Sequence, residues 1–193
     1  MTAVILGGKT KAFRRAHLET LSAIAKRARI EKLLKRKKGL MLDISFGGTP
    51  QPRSVKLGPT GDIKHNPLKI PFPLPDECVN TAVVFHVLEF LPPEQFFKWC
   101  DELWRVTQPF GVAYVSGPYG GDDSEGWLSD PTHKTRVLEQ SFAWLDPRTP
   151  LYIKHKELGR KTPKPWWPLQ LARVPGTEGT ITYNVMMQKR VKP

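Results

Sequence analysis

No run of apolar residues in this chain is long enough to cross a bilayer. Cysteine is nearly absent. Cys78 and Cys100 are the two, in apolar surroundings and without the spacing of a metal-ligand set. That argues against a disulfide-built secreted fold and against a thiolate metal site, so a reduced, cytoplasmic protein with no metal is expected. The N-terminus sets a short apolar patch before its basic residues, the reverse of a secretory signal, so no export signal is read. There is no internal repeat, and the only low-complexity stretch is basic.

Acidic residues are scarce in one place. Between Lys9 and Lys38 there are 12 Lys/Arg and two acids, Glu19 and Glu31, a balance of +10. The rest of the chain has 18 basic and 16 acidic residues, so the formal charge of +12 belongs almost wholly to this arm. The organisation expected is a basic helical arm, residues 1–38, followed by one folded domain, residues 39–193. Thr10 is placed to cap a helix over 10–38, and Leu18, Leu21, Ile24 and Ala28 give it an apolar stripe. Lys35 to Lys38 load its last turn and Gly39 follows as a C-terminal cap. Such an arm either packs as a solvated helix or makes weak contact, through residues 9–38, with nucleic acid or another acidic partner.

The domain reads as alternating strands and helices. "LMLDIS" and "RSVKL" are strands, "KIPFPLPDEC" is a proline-rich loop, and "VNTAVVF" is a buried parallel strand. Residues 92–107 have helical spacing, with Phe96, Cys100, Leu103 and Trp104 on one side and Pro93 in the first turn. "VAYVSG" is the next strand, and "LEQSFAWL" is a short helix beyond a glycine-rich acidic loop. Residues 150–158 and 180–190 both alternate and are expected to pair antiparallel at one edge, with "KTPKPWWPLQ" as a stiff loop between them. The fold class expected is α/β: a Rossmann-like, open, mostly parallel sheet with flanking helices and an antiparallel edge strand, preceded by the basic helix. In such sheets the ligand lies outside the C-terminal strand ends, which gathers the loops 44–50, 86–91 and 117–133.

"LDISFGG", the run from "PFPLPDEC" through "VVFHVLEFLPPEQ" to "LWRVTQPFGVAYVSGPYG", and then "DPTHK" and "SFAWLDP" together resemble the class I S-adenosylmethionine-dependent methyltransferases, small single-domain kind. The similarity covers about residues 40 to 146. It implies S-adenosylmethionine as methyl donor over the C-terminal edge of the sheet, and an unassigned methyl acceptor. By the same resemblance Asp43, Ser45, Gly47 and Gly48 match the glycine loop at the amino-acid end of the donor. Asp62 or Asn66 matches the polar residue on the adenine side, and His86 and Val87 match residues lining the donor pocket.

The sequence departs from that pattern in three places. Ser45 stands for the first loop glycine, Asn80 replaces an acid before the fourth strand, and Gly58 stands where an acid would take the ribose hydroxyls. Losing two charge-assisted hydrogen bonds of about 1.5–3 kcal/mol each weakens donor binding unless Asp62 substitutes. Two catalytic candidates follow the fifth strand. His133 either works on the acceptor as a base or anchors its loop, and Tyr119 faces the same choice. Glu89 reads as a helix-capping or solvated acid, the cysteines as core, and Trp166 and Trp167 as a lid, a partner surface or the edge of the core. No "NPP[YF]" or Pro-Cys motif is present, which argues against amino-methylation or C5-methylation of DNA bases. Two functions are therefore expected: a methyltransferase, or a methyltransferase-like binding or assembly protein acting through its basic arm.

Overall fold

The computed structural model describes residues 28, 32, 39–48, 50–121, 125–175 and 180–190. The helix expected over 10–38 lies outside the described residues, except for Ala28 and Lys32, which are helical. The chain divides between Lys38 and Gly39.

Among the described residues seven strands form one sheet. β1 is Leu40–Ile44, β2 Val55–Gly58, β3 Ile63–Lys64, β4 Val79–Phe85, β5 Thr107–Pro118, β6 Trp166–Pro175 and β7 Ile181–Lys189. Their order is β3-β2-β1-β4-β5-β7-β6. The first five run parallel, while β7 pairs antiparallel with both β5 and β6. The central strands are apolar because both faces are covered: Leu40, Leu42, Ile44, Ala82 and Val84 are at most 1% exposed. The order reverses between β1 and β4, and this is the switch point where a crevice opens at the strand ends.

Helix α1, Phe96–Val106, covers one face with Trp99, Cys100 and Leu103. Arg105 on this helix ties down the proline-rich loop. Its guanidinium donates to the carbonyls of Leu74 and Phe72 and to Glu102 and Asp76, while Glu102 accepts from the Phe72 amide at 2.7 Å. Helix α2, Glu125–Leu128, is a single turn. Residues 88–90, 93–95 and 139–145 form 3₁₀ turns.

Two expectations are corrected. Residues 150–158 are not a strand: Pro150–Glu157 is helix α3. Thr149 caps it by accepting from the Tyr152 amide at 3.3 Å, and Pro150 opens its first turn. None of its residues is buried, so its apolar residues carry no helical period. The partner of β7 is instead β6, whose first half, residues 166–170, lies in the segment read as a loop. Pro168 and Pro175 are tolerated because β6 is the outermost strand, and the register shifts between Pro168 and Gln170. The two-residue strand β3 is also additional to the sequence reading.

Candidate functional site

A cavity of about 710 Å³ opens at the C-terminal ends of β1 and β4. Asp43, Ser45, Phe46, Gly47 and Gly48 line it from the first loop, and Phe85, His86 and Phe90 from the second. Leu68, Thr132 and Lys134 complete it.

Internal bonds hold the first loop. The Ser45 hydroxyl sits 2.9 Å from Asp43 Oδ1 and 3.1 Å from the Gly47 carbonyl. Asp43 Oδ2 accepts the Gln51 amide at 2.9 Å. The Lys56 ammonium, nearly buried, donates to the carbonyls of Gly47 and Gly48 at 2.8 and 2.7 Å. Gly48 has φ +76°, a conformation few other residues adopt. A Cβ added at Gly47 meets nothing within 4 Å among the described residues, so the loop leaves open space there.

Across the cavity, His86 follows β4 at φ +50° and its amide donates to Ser116 O. Its Nδ1 is 3.1 Å from Oε1 of Glu89. Glu89 is fully buried, neither a solvated acid nor a cap, and neither carboxylate oxygen has a well-formed hydrogen bond among the described residues. The Tyr183 hydroxyl, also buried and without a hydrogen bond among the described residues, lies on the same patch. A Cβ at Gly117 would be 2.7 Å from Tyr183 Oη and 3.1 Å from Glu89 Oε2. The Glu89 carboxylate beside it raises the His86 pKa above its usual 6.5, against the opposing effect of burial. Burial and the same carboxylate push the Tyr183 phenol up, so it stays neutral.

The other predicted residues lie outside the cavity lining. Asp62 Oδ2 accepts the Lys56 amide at 3.1 Å, and Asn66 Oδ1 accepts the Leu68 amide at 3.0 Å. Val87 is fully buried. His133 has an almost buried ring. Nδ1 is 2.9 Å from the Trp127 carbonyl, Nε2 is 3.7 Å from Asp130, and the ring stands edge-on to Phe90. Its neighbours Thr132 and Lys134 reach the cavity instead. The Tyr119 ring carries the Arg173 guanidinium at 4.5 Å. Trp166 is buried, with its indole N–H toward Cys100 O, while Trp167 is half-buried with Arg148 and Arg190 against its ring. Cys100 is buried and Cys78 half-buried, and burial pushes the Cys78 thiol up to about 11.

Sequence reasoning missed Lys56, Phe46, Phe90 and the burial of Glu89. Two signals were available: a lysine between Val55 and Leu57 in a buried strand, and a carboxylate between Leu88 and Phe90. Each is a charge in an apolar run and so needs a partner.

A larger cavity, about 1440 Å³, lies at the opposite strand ends, beside Phe110, Tyr152, Trp167 and Arg190. Size does not select between the two; position at the switch point favours the first. Among the described residues no group of His, Cys, Asp or Glu is placed to hold a metal ion, and no helix is long and apolar enough to cross a membrane.

The strand order and the crevice at its reversal define the class I S-adenosylmethionine-dependent methyltransferase-like fold. One chain of a Haloferax volcanii complex that contains the Trm112 methyltransferase activator shares it, with TM-score 0.51, 9% identity, and 94% of this chain and 97% of that one covered. A Burkholderia thailandensis 1,6-didemethyltoxoflavin-N1-methyltransferase gives TM-score 0.49 at 11% identity, covering 99% of this chain and 94% of that one. An Archaeoglobus fulgidus S-adenosylmethionine-dependent methyltransferase gives 0.43 at 18%, covering 84% and 92%. No protein-family profile and no curated protein matches the chain.

Proposed function

We propose that the chain is an S-adenosylmethionine-dependent methyltransferase whose donor lies in the cavity between Gly47 and His86. The observation that carries this reading is the open space at Gly47, where the backbone of a cradled loop borders a cavity of suitable size. Asp43 and Ser45 keep the loop in shape, Gly47 and Gly48 let a ligand approach its backbone, and His86 forms the opposite wall. Asp62, Asn66 and Val87 act from behind, by fixing the segments that carry Lys56, Leu68 and His86. His133 holds the loop bearing Thr132 and Lys134 over the acceptor side, and Tyr119 supports the turn after β5. A bound sulfonium donor supplies an electrophilic methyl group, and the protein's task is then to orient the acceptor and exclude water.

A second reading is a methyltransferase-like binding protein that contacts nucleic acid or an acidic partner through residues 9–38. One observation favours it: β2 ends at Gly58, and no acid stands there for the ribose hydroxyls. Calorimetric titration with S-adenosylmethionine separates the two. The methyltransferase reading requires saturable binding that Gly47→Val abolishes while the thermal midpoint stays nearly unchanged, because valine enters empty space. Absence of binding in the unaltered protein, or equal binding in the variant, favours the second reading.

A further inference from the structure

The pairing of His86 with Glu89 has a consequence for any ligand that changes charge in this cavity. Glu89 is 0% exposed, hangs on the turn after β4, and has the ionisable imidazole of His86 beside it, with Nδ1 at 3.1 Å. Burying a carboxylate with so little solvation is costly, and such groups cluster where a local charge is needed. Gly117 keeps the room this carboxylate occupies, since a Cβ there would be 3.1 Å from Oε2. His86 itself is 60% exposed at the side chain and lines the cavity. Glu89 therefore speaks to the cavity through an imidazole able to gain or lose a proton.

Resting on the methyltransferase reading above, we propose that the His86–Glu89 pair distinguishes the cationic methyl donor from its neutral thioether product by the charge it presents. With the imidazole neutral, the pair carries the single negative charge of Glu89 and favours the sulfonium. With the imidazole protonated, the pair is neutral and the preference falls. The sign follows: preference for the donor rises as pH rises through the titration of His86, and a bound sulfonium in turn makes His86 easier to deprotonate. The elevated His86 titration places this change nearer neutral pH than an isolated imidazole would.

The other charged groups around the cavity are placed differently. Asp43 and Lys134 line the same cavity, and Lys56 lies behind the glycine loop on its carbonyls. Tyr183, packed near Glu89 from β7, stays neutral. His133 is the other imidazole nearby, edge-on to Phe90 and 3.7 Å from Asp130. Donor and product share the same amino and carboxylate groups. Taking the ratio of their affinities removes protein titrations felt only by those shared groups; the donor's own ammonium, which its sulfonium makes more acidic than the product's, contributes equally in His86→Asn and is subtracted with that variant.

The test is calorimetry of the full chain with S-adenosylmethionine and S-adenosylhomocysteine from pH 5.5 to 8.5. A cavity of this volume is about 11 Å across, so one unit of wall charge at an effective dielectric constant of about 20 changes the ratio roughly tenfold. The expected result is a rise of about that size in relative donor affinity, with its inflection at the His86 titration read by imidazole NMR. Glu89→Gln should lower that titration and flatten the ratio. His86→Asn, at a mostly exposed side chain, should flatten it without the burden on folding that a buried change carries. His133→Asn should leave the inflection in place. A flat ratio in the unaltered protein with both ligands bound overturns the inference and leaves the methyltransferase reading standing. So does an inflection that survives His86→Asn or disappears with His133→Asn. If neither ligand binds at any pH, the methyltransferase reading fails and the inference fails with it.

Discussion

Gly58 is the residue at which a motif and a structure give opposite advice. The motif asks for an acid at the end of β2, and the obvious repair is Gly58→Asp. A Cβ at Gly58, however, would stand 2.3 Å from the Ser45 carbonyl oxygen, and the Ser45 amide bonds to Leu57 O at 3.3 Å. The two strand ends are pressed together, and the neighbour is backbone, which cannot swing away. Gly58→Asp is therefore expected to cost about 2 kcal/mol of stability, read in chemical denaturation, and to leave donor binding no tighter. A variant of unchanged stability with tighter binding would contradict this. Ser45 belongs to the same adjustment. It is not among the described non-glycine residues at positive φ, and its hydroxyl braces Asp43 and Gly47. Serine makes such a turn when its φ stays negative. The sequence did not reveal that β2 approaches so closely that glycine is required at 58, because the neighbour in question comes from another strand.

Among the elements, β1, β4, α1, β5 and β7 were legible in the sequence because each has a strong period or a continuous apolar run. Residues 150–158 were misread because Leu151 and Ile153 alternate over a span too short to separate strand from surface helix. The Thr149–Pro150 cap was the better signal. β6 was hidden by prolines that an outermost strand tolerates. The cavity's two walls were legible as loops after apolar strands, whereas the Glu89 contact depends on how the turn after β4 packs against β5 and β7. The basic segment is an element known by its charge alone, +10 between Lys9 and Lys38. Like charges so close repel, and a polyanion relieves that repulsion. If the segment engages about four phosphates, binding to duplex DNA should show a log–log salt slope of about −3 to −4. Titrations at several salt concentrations should show this slope in the full chain and lose it when Lys35, Arg36, Lys37 and Lys38 are changed to Gln. A slope that persists in that variant, or affinity indifferent to salt, would assign the charge to solubility.

At the scale of the whole domain, the sheet order places one cavity at the C-terminal strand ends and the other at the opposite ends. The fold alone does not choose a reaction, since one scaffold carries many chemistries. The choice rests on the first cavity: a braced loop with open space at Gly47 facing a histidine backed by a buried carboxylate. The most direct measurement is a structure determined with S-adenosylhomocysteine at saturating concentration. The product is expected in the cavity bounded by Gly47, Gly48, Leu68 and His86, with its amino-acid end toward the Asp43–Ser45 loop. Product bound beside Phe110 and Trp167, or an empty cavity at saturation, would contradict that expectation.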